Sequence, residues 1–171
     1  IPPISVLGGL GAPTGVVFNG TSNFVIPNDG KGQPARFIFA GEDGTLAAWN
    51  SGSGGAVQVA DQSASGAVYK GLAMGSVGAD TFLYATNFHA GKIDVFDKDY
   101  TLVTVNSFWD PTIPSGFATF NIRTISGWLF VTYAKPITTD NQDDHKRPGN
   151  ELITIFNTSG KQLKRIGPRG A

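Results

Sequence analysis

Short apolar runs alternate along the chain with turns rich in Gly, Asp and Asn, and that alternation itself repeats. Residues 37–49 place an apolar strand, a turn at Glu42-Asp43-Gly44 and a second strand ending on Trp49, the pattern of a β-hairpin. Residues 82–97 repeat it about 45 residues later, the spacing of four-stranded propeller blades. A third copy opens at residues 129–134, but its partner strand at 151–157 is delayed by the polar insertion 135–150.

Each hairpin is flanked at matching positions. Residues 14–18, 67–73 and 117–122 precede the hairpins and read as innermost strands. Residues 56–60, 100–105 and 161–166 follow them, alternating apolar and polar side chains as half-exposed outer edges do. Turns fall at 97–100 and 157–161, where Asp, Asn and Gly supply side-chain hydrogen bonds or positive φ. No long stretch has helical periodicity. The pattern predicts an all-β fold: one β-propeller segment through residues 1–171, with three four-stranded blades at about 14–60, 67–105 and 117–166.

Propellers close rings of four to eight blades, so a three-blade arc leaves two apolar faces uncovered. Either further blades complete the ring or a second copy does. The first is expected, because the chain starts without a strand and ends in the loop-like Gly167-Pro168-Arg169-Gly170-Ala171.

Composition agrees with a turn-rich β protein, with 23 Gly and 10 Pro in 171 residues. Lys+Arg and Asp+Glu balance at 13 each, so no sequence-wide basic field draws nucleic acid. No apolar run approaches a transmembrane length, and Ile1-Pro2-Pro3-Ile4 lacks the regions of a signal peptide. The absence of Cys removes disulfides, thiolate metal sites and Cys nucleophiles.

Several longer words then stand out: Pro13-Thr14-Gly15-Val16-Val17-Phe18-Asn19-Gly20, Phe37-Ile38-Phe39-Ala40-Gly41-Glu42-Asp43-Gly44-Thr45, residues 63–73, and Tyr84-Ala85-Thr86-Asn87-Phe88-His89-Ala90-Gly91-Lys92-Ile93-Asp94-Val95-Phe96-Asp97. With residues 108–117, Val131-Thr132-Tyr133-Ala134-Lys135 and the polar insertion, they make nearly the whole chain resemble a family of uncharacterised extracytoplasmic proteins with an NHL-like six-bladed propeller. Members of that family are about twice this length. Their early Asn-Pro-Trp-Gly and later Pro-Trp-Gly-Leu segments are missing here, so the resemblance implies the middle of a ring. It implies no catalytic residues.

Candidate chemistry is sparse. The two histidines are His89, in the turn of the middle hairpin, and His145. His89 reads as a loop residue bonded to its own turn, with a ligand or base role as the alternative. The insertion carries Asp140, Asp143 and Asp144, oxygen ligands of the kind calcium takes, but without EF-hand spacing. Lys70 and Asn121 lie in predicted innermost strands with Tyr69 and Arg123 nearby, where side chains line a propeller's central channel and meet an anion or solvent. Glu42 and Asp43 read as turn formers. Ser63-Ala64-Ser65-Gly66 and Gly8-Gly9-Leu10-Gly11 lack the context of a nucleophile elbow or a phosphate loop. Trp49, Trp109 and Trp128 suit blade packing, with Trp109 the best candidate for an exposed stacking surface. Asn19-Gly20-Thr21 and Asn157-Thr158-Ser159 are glycan acceptor triplets, of which Asn157 is the better placed.

These features lead to the expectation of an extracellular or periplasmic binding or scaffold module for a protein or carbohydrate. The alternatives are a metal-dependent propeller enzyme of lyase or lactonase type, using Asn121 and Asp94 with ligands from other blades, and a structural subunit of a larger assembly.

Overall fold

The computed structural model describes residues 6–7, 12–27, 32–103, 108–137, 143–144 and 152–167. They build three antiparallel meanders and no α-helix, the only helical turn being a short 3-10 segment at Ser63–Ser65. Sheet one contains β1 (Val6–Leu7), β2 (Pro13–Phe18), β3 (Phe37–Gly41), β4 (Thr45–Trp49) and β5 (Ala56–Asp61). Sheet two contains β6 (Tyr69–Val77), β7 (Asp80–Asn87), β8 (Lys92–Phe96) and β9 (Leu102–Val103). Sheet three contains β10 (Ala118–Ile125), β11 (Trp128–Ala134), β12 (Leu152–Phe156) and β13 (Gln162–Ile166). The expected three four-stranded units are present, each running from first to fourth strand in sequence order.

Two expectations need correction. The chain does not start without a strand, because β1 pairs in parallel with β5 through Val6↔Ala56 and Leu7↔Val57. For the same reason β5 is not the edge of its sheet. Its unpaired backbone groups recruit the upstream segment, as exposed strand edges do.

The sheets meet mainly along their first strands, with β6 lying between β2 and β10. Glycine makes this approach close. A Cβ on Gly15 would sit 2.5 Å from the Leu72 nitrogen, and one on Gly71 would sit 2.9 Å from the Ile122 nitrogen, so a side chain there would force the strands apart. Threonines stitch the same seams: Thr14 Oγ1 donates to Tyr69 O at 2.5 Å and Thr86 Oγ1 to Phe120 O at 2.8 Å. Farther out, large side chains fill the gaps. Ile38, Leu46, Tyr69, Leu83 and Phe96 pack between sheets one and two, and Tyr84, Val95, Leu129, Val131 and Phe156 between sheets two and three. Backbone contact inside and bulky packing outside give each gap the shape of a wedge.

A second device ties sheet one to sheet two. Phe24 and Tyr100 both adopt left-handed backbone, at φ 60 and 61, which is costly for bulky residues by about 1–2 kcal/mol each. Their neighbours hold them there. The Tyr100 hydroxyl donates to Phe24 O at 2.8 Å, Phe24 N donates to Lys98 O at 3.1 Å, and the rings lie 5.5 Å apart.

Candidate functional site

All three first strands slip register near their beginnings, between Pro13 and Gly15, Tyr69 and Gly71, and Thr119 and Ile122. A bulge of this kind leaves a residue unpaired and re-aims its side chain. At Lys70 it corrects the expectation of a channel side chain. Lys70 Nζ meets Glu42 Oε1 at 2.5 Å in the β3–β4 turn of sheet one, and the Lys70 side chain is only 8% exposed. The ammonium also lies 5.9 Å from the Phe88 ring centre, at the outer limit of a cation–π contact. This ion pair fastens two sheets. Glu42 and Asp43 thereby part company, since Asp43 Oδ1 accepts from Thr45 N at 3.1 Å and Thr45 Oγ1 at 2.8 Å to shape the turn.

Asn121 and Arg123 behave differently. They border a concavity of about 320 Å³ with Pro13, Thr14, Val16 and Leu72, running over the exposed side of the first strands. A shallower extension continues past Phe18, Met74 and Thr124. Asn121 is half-buried and its Oδ1 accepts from Ile122 N at 2.7 Å, which caps its own bulge. Arg123 is exposed and makes no ion pair among the described residues. With Phe39 also in its lining, the concavity combines a largely apolar wall with one cation.

Asp94 is not a channel ligand. It is buried in sheet two, where Oδ2 accepts from the Tyr69 hydroxyl at 3.1 Å and Asn87 Nδ2 at 2.9 Å, while Oδ1 pairs with Lys92 Nζ at 2.8 Å. Burial, and then the adjacent Asp94 charge, push the Tyr69 hydroxyl far above its ordinary pKa, so it remains a proton donor. Sheet three holds a comparable carboxylate. Burial disfavours the charged form of Asp110, but hydrogen bonds from Thr112 and Thr154, with Arg165 nearby, outweigh burial and hold its pKa below the ordinary value. Thr154 Oγ1 donates to Asp110 Oδ2 at 2.6 Å, and Arg165 Nη1 donates to Thr112 O. Both carboxylates have their lone pairs committed to structure.

The remaining candidates scatter. His89 is exposed in the β7–β8 turn, with its imidazole against Gly66. In the insertion, Asp140 lies outside the described residues. Asp143 O accepts from Ile137 N at 2.9 Å, and Asp144 forms a β-bridge with Pro136. Among the described residues no three His, Cys, Asp or Glu gather as metal ligands.

Asn19 is corrected as a glycan acceptor. It is 2% exposed, and its Nδ2 donates to Asn23 O at 2.9 Å and Ala35 O at 3.0 Å, so a sugar on that nitrogen has no room. Asn157 is half-buried in the β12–β13 turn, where its oxygen, rather than its amide nitrogen, accepts from Lys161 N at 2.8 Å. Trp109 is 77% exposed, Trp128 44%, and Trp49 packs on Phe37.

Sequence reasoning missed a second concavity of about 540 Å³ at one end of sheet one, bordered by Thr21, Arg36, Trp49 and Asn50. It also missed the bulges, although the signal was present in Thr14-Gly15 and Lys70-Gly71: an isolated Gly inside a strand marks a bulge or a close backbone approach.

No known protein-family profile matches the chain. It is 30% identical over 166 residues to the uncharacterized protein R648 of Acanthamoeba polyphaga mimivirus, a match covering 92% of this chain and 40% of that protein. Two further proteins of the same virus are similar: uncharacterized protein R640, 29% identical over 162 residues (90% of this chain, 30% of that protein), and uncharacterized protein L690, 27% identical over 166 residues (92% and 43%). The chain spans less than half the length of these relatives. No helix among the described residues is long and apolar enough to cross a membrane.

Proposed function

We propose that the three sheets are blades of a β-propeller arc, half of a six-bladed ring, and that the arc serves as an extracellular or periplasmic binding and scaffold module. The observation that carries this is the seam of first strands: glycine brings the sheets into backbone contact there, while large side chains hold them apart outside. Sheets wedged in this way radiate from an axis, and a propeller is the architecture that uses such sheets.

On this reading the concavity over β2, β6 and β10 is the wall of the central channel, and Arg123 is its recognition residue. A guanidinium in a largely apolar setting selects carboxylates, so the partner is a carbohydrate or protein that offers an acidic group. The enzyme alternative loses support from Asp94 and Asn121, because each spends its oxygens on internal hydrogen bonds.

Titration with polygalacturonate and with a polyglutamate peptide, against neutral dextran, tests the proposal. One acidic probe is expected to bind, more weakly at high salt, and Arg123→Ala is expected to reduce its affinity about tenfold, or about 1.4 kcal/mol. Binding unchanged by Arg123→Ala, or no preference for the acidic probes over dextran, would remove Arg123 from the role.

A further inference from the structure

Residues 108–117 lead into β10 and pack on the junction of sheets two and three. Three of their four large apolar side chains, Phe108, Ile113 and Phe117, turn inward against the core of that junction. The fourth does not. Trp109 is 77% exposed, more than any other large hydrophobic side chain among the described residues. Both flanking sheets belong to the described residues, so this exposure is not that of a sheet face awaiting a neighbour.

Its neighbours in the chain hold the indole out. Phe108 adopts left-handed backbone, at φ 65, and makes the same kind of bond as Phe24: its N–H donates to Gly160 O at 2.9 Å, in the turn after the third strand of the next sheet, as Phe24 N donates to Lys98 O. The Phe108 ring stands edge-on to Tyr84 and to Phe156, at 5.6 Å from each. On the other side Asp110 is buried. Its Oδ2 accepts from Thr154 Oγ1 at 2.6 Å, and its Oδ1 from Thr112 N at 2.9 Å and Thr112 Oγ1 at 2.6 Å. A bulky residue keeps left-handed backbone only where its surroundings over-determine it, so the loop is rigid where it presents Trp109.

The surroundings of Trp109 decide what it can take. A protein partner of standard size covers about 800 Å² on each side and uses several anchors packed together. Beside Trp109 the loop instead exposes Pro111, Thr112, Pro114 and Ser115, with no second large apolar side chain. One indole matches one sugar ring. A pyranose with equatorial hydroxyls has a flat face of C–H groups, which suits the electron-rich face of the indole, and its hydroxyl edge stays in water. Because the platform is already ordered, so small a ligand need not organise it.

We propose that Trp109 is a glycan-stacking platform that takes the C–H face of an all-equatorial pyranose in a β-linked glucan or N-acetylglucosamine chain. This site is separate from the concavity over β2, β6 and β10, and it uses neither Arg123 nor the propeller reading.

Calorimetric titration with cellohexaose and with chitohexaose, against dextran, tests the proposal and tells the plain glucan from its N-acetylated counterpart. At least one of the two is expected to bind and to shift tryptophan emission to shorter wavelength, whereas dextran, whose flexible linkage must first be ordered, is not. Trp109→Ala alters an exposed side chain, so it should keep the β spectrum while weakening binding by about tenfold or more. Trp109→Tyr should recover part of that loss, and Arg123→Ala should leave the affinity unchanged. Binding of neither oligosaccharide, equal binding of dextran, or an affinity untouched by Trp109→Ala would overturn the platform. Sensitivity to Arg123→Ala alone would move the glycan to the concavity, and a Trp109-dependent emission shift produced only by an apolar peptide would give the indole to a protein partner; either result also overturns it.

Discussion

The middle sheet and its two neighbours are built from the same four-stranded plan but live in different surroundings. In β8, the third strand of sheet two, every residue from Ile93 to Phe96 is buried. In β12, the third strand of sheet three, buried Leu152, Thr154 and Phe156 alternate with half-buried Ile153 and Ile155. Both strands are rich in β-branched and aromatic residues. What differs is cover: among the described residues, sheet two is packed on both faces and sheet three on the face toward sheet two. Apolar residues at Ile153 and Ile155 are what a strand carries when its second face is made to be covered as well.

The sharpest way to test that contrast is to remove equivalent apolar mass from each region. Leu83→Ala, in the fully buried centre of sheet two, should cost about 3 kcal/mol in urea unfolding. Ile155→Ala should cost less, about 1 kcal/mol, because Ile155 is only half-buried. Equal losses at the two positions would mean that the face of sheet three turned away from sheet two is as well covered as the centre of sheet two.

A smaller effect compares the two junctions by pH. All four tyrosines are buried, Tyr69 and Tyr100 between sheets one and two and Tyr84 and Tyr133 between sheets two and three. Burial pushes Tyr84 and Tyr133 up to about 12, and Tyr69 and Tyr100 higher still. Below the ordinary value of 10.0 both folded and unfolded chains hold these protons, and stability is unaffected. Above it the unfolded chain loses them first, so stability falls as pH rises through the folded values. Tyrosinate absorbance should therefore appear together with loss of the β spectrum, well above pH 10. A gradual rise centred near 10 while the sheets persist would show that the junctions admit solvent.

Much of the sheet plan was legible in the sequence because its signal is local. Turns announce themselves through Asp43-Gly44, Asp97 and Asn157, and strands through runs such as Leu129 to Ala134. Less of the candidate site was legible, because its geometry is set by register rather than by residue type. Lys70 and Arg123 look alike as cations in first strands, yet a one-residue bulge sends Lys70 to Glu42 while Arg123 stays over the concavity. Asn19 shows the same limit. Its triplet is that of a glycan acceptor, and only the placement of the Asn23 and Ala35 carbonyls reveals that both amide protons are already bound. The β1–β5 pairing was hidden because two residues are too short a run to carry a period.

Spin-label distances across the three sheets test the radial arrangement most directly. The chain has no cysteine, so paired cysteines introduced at Val16 and Arg123 report the inner spacing of sheets one and three, and those at Gln58 and Leu163 the outer spacing. Labelled chain is diluted with unlabelled chain so that each distance lies within one molecule. Sheets radiating from an axis require the outer distance to be clearly the longer of the two. Equal inner and outer distances of roughly 20 Å, the separation of sheets stacked in parallel layers two spacings apart, would contradict the propeller arc.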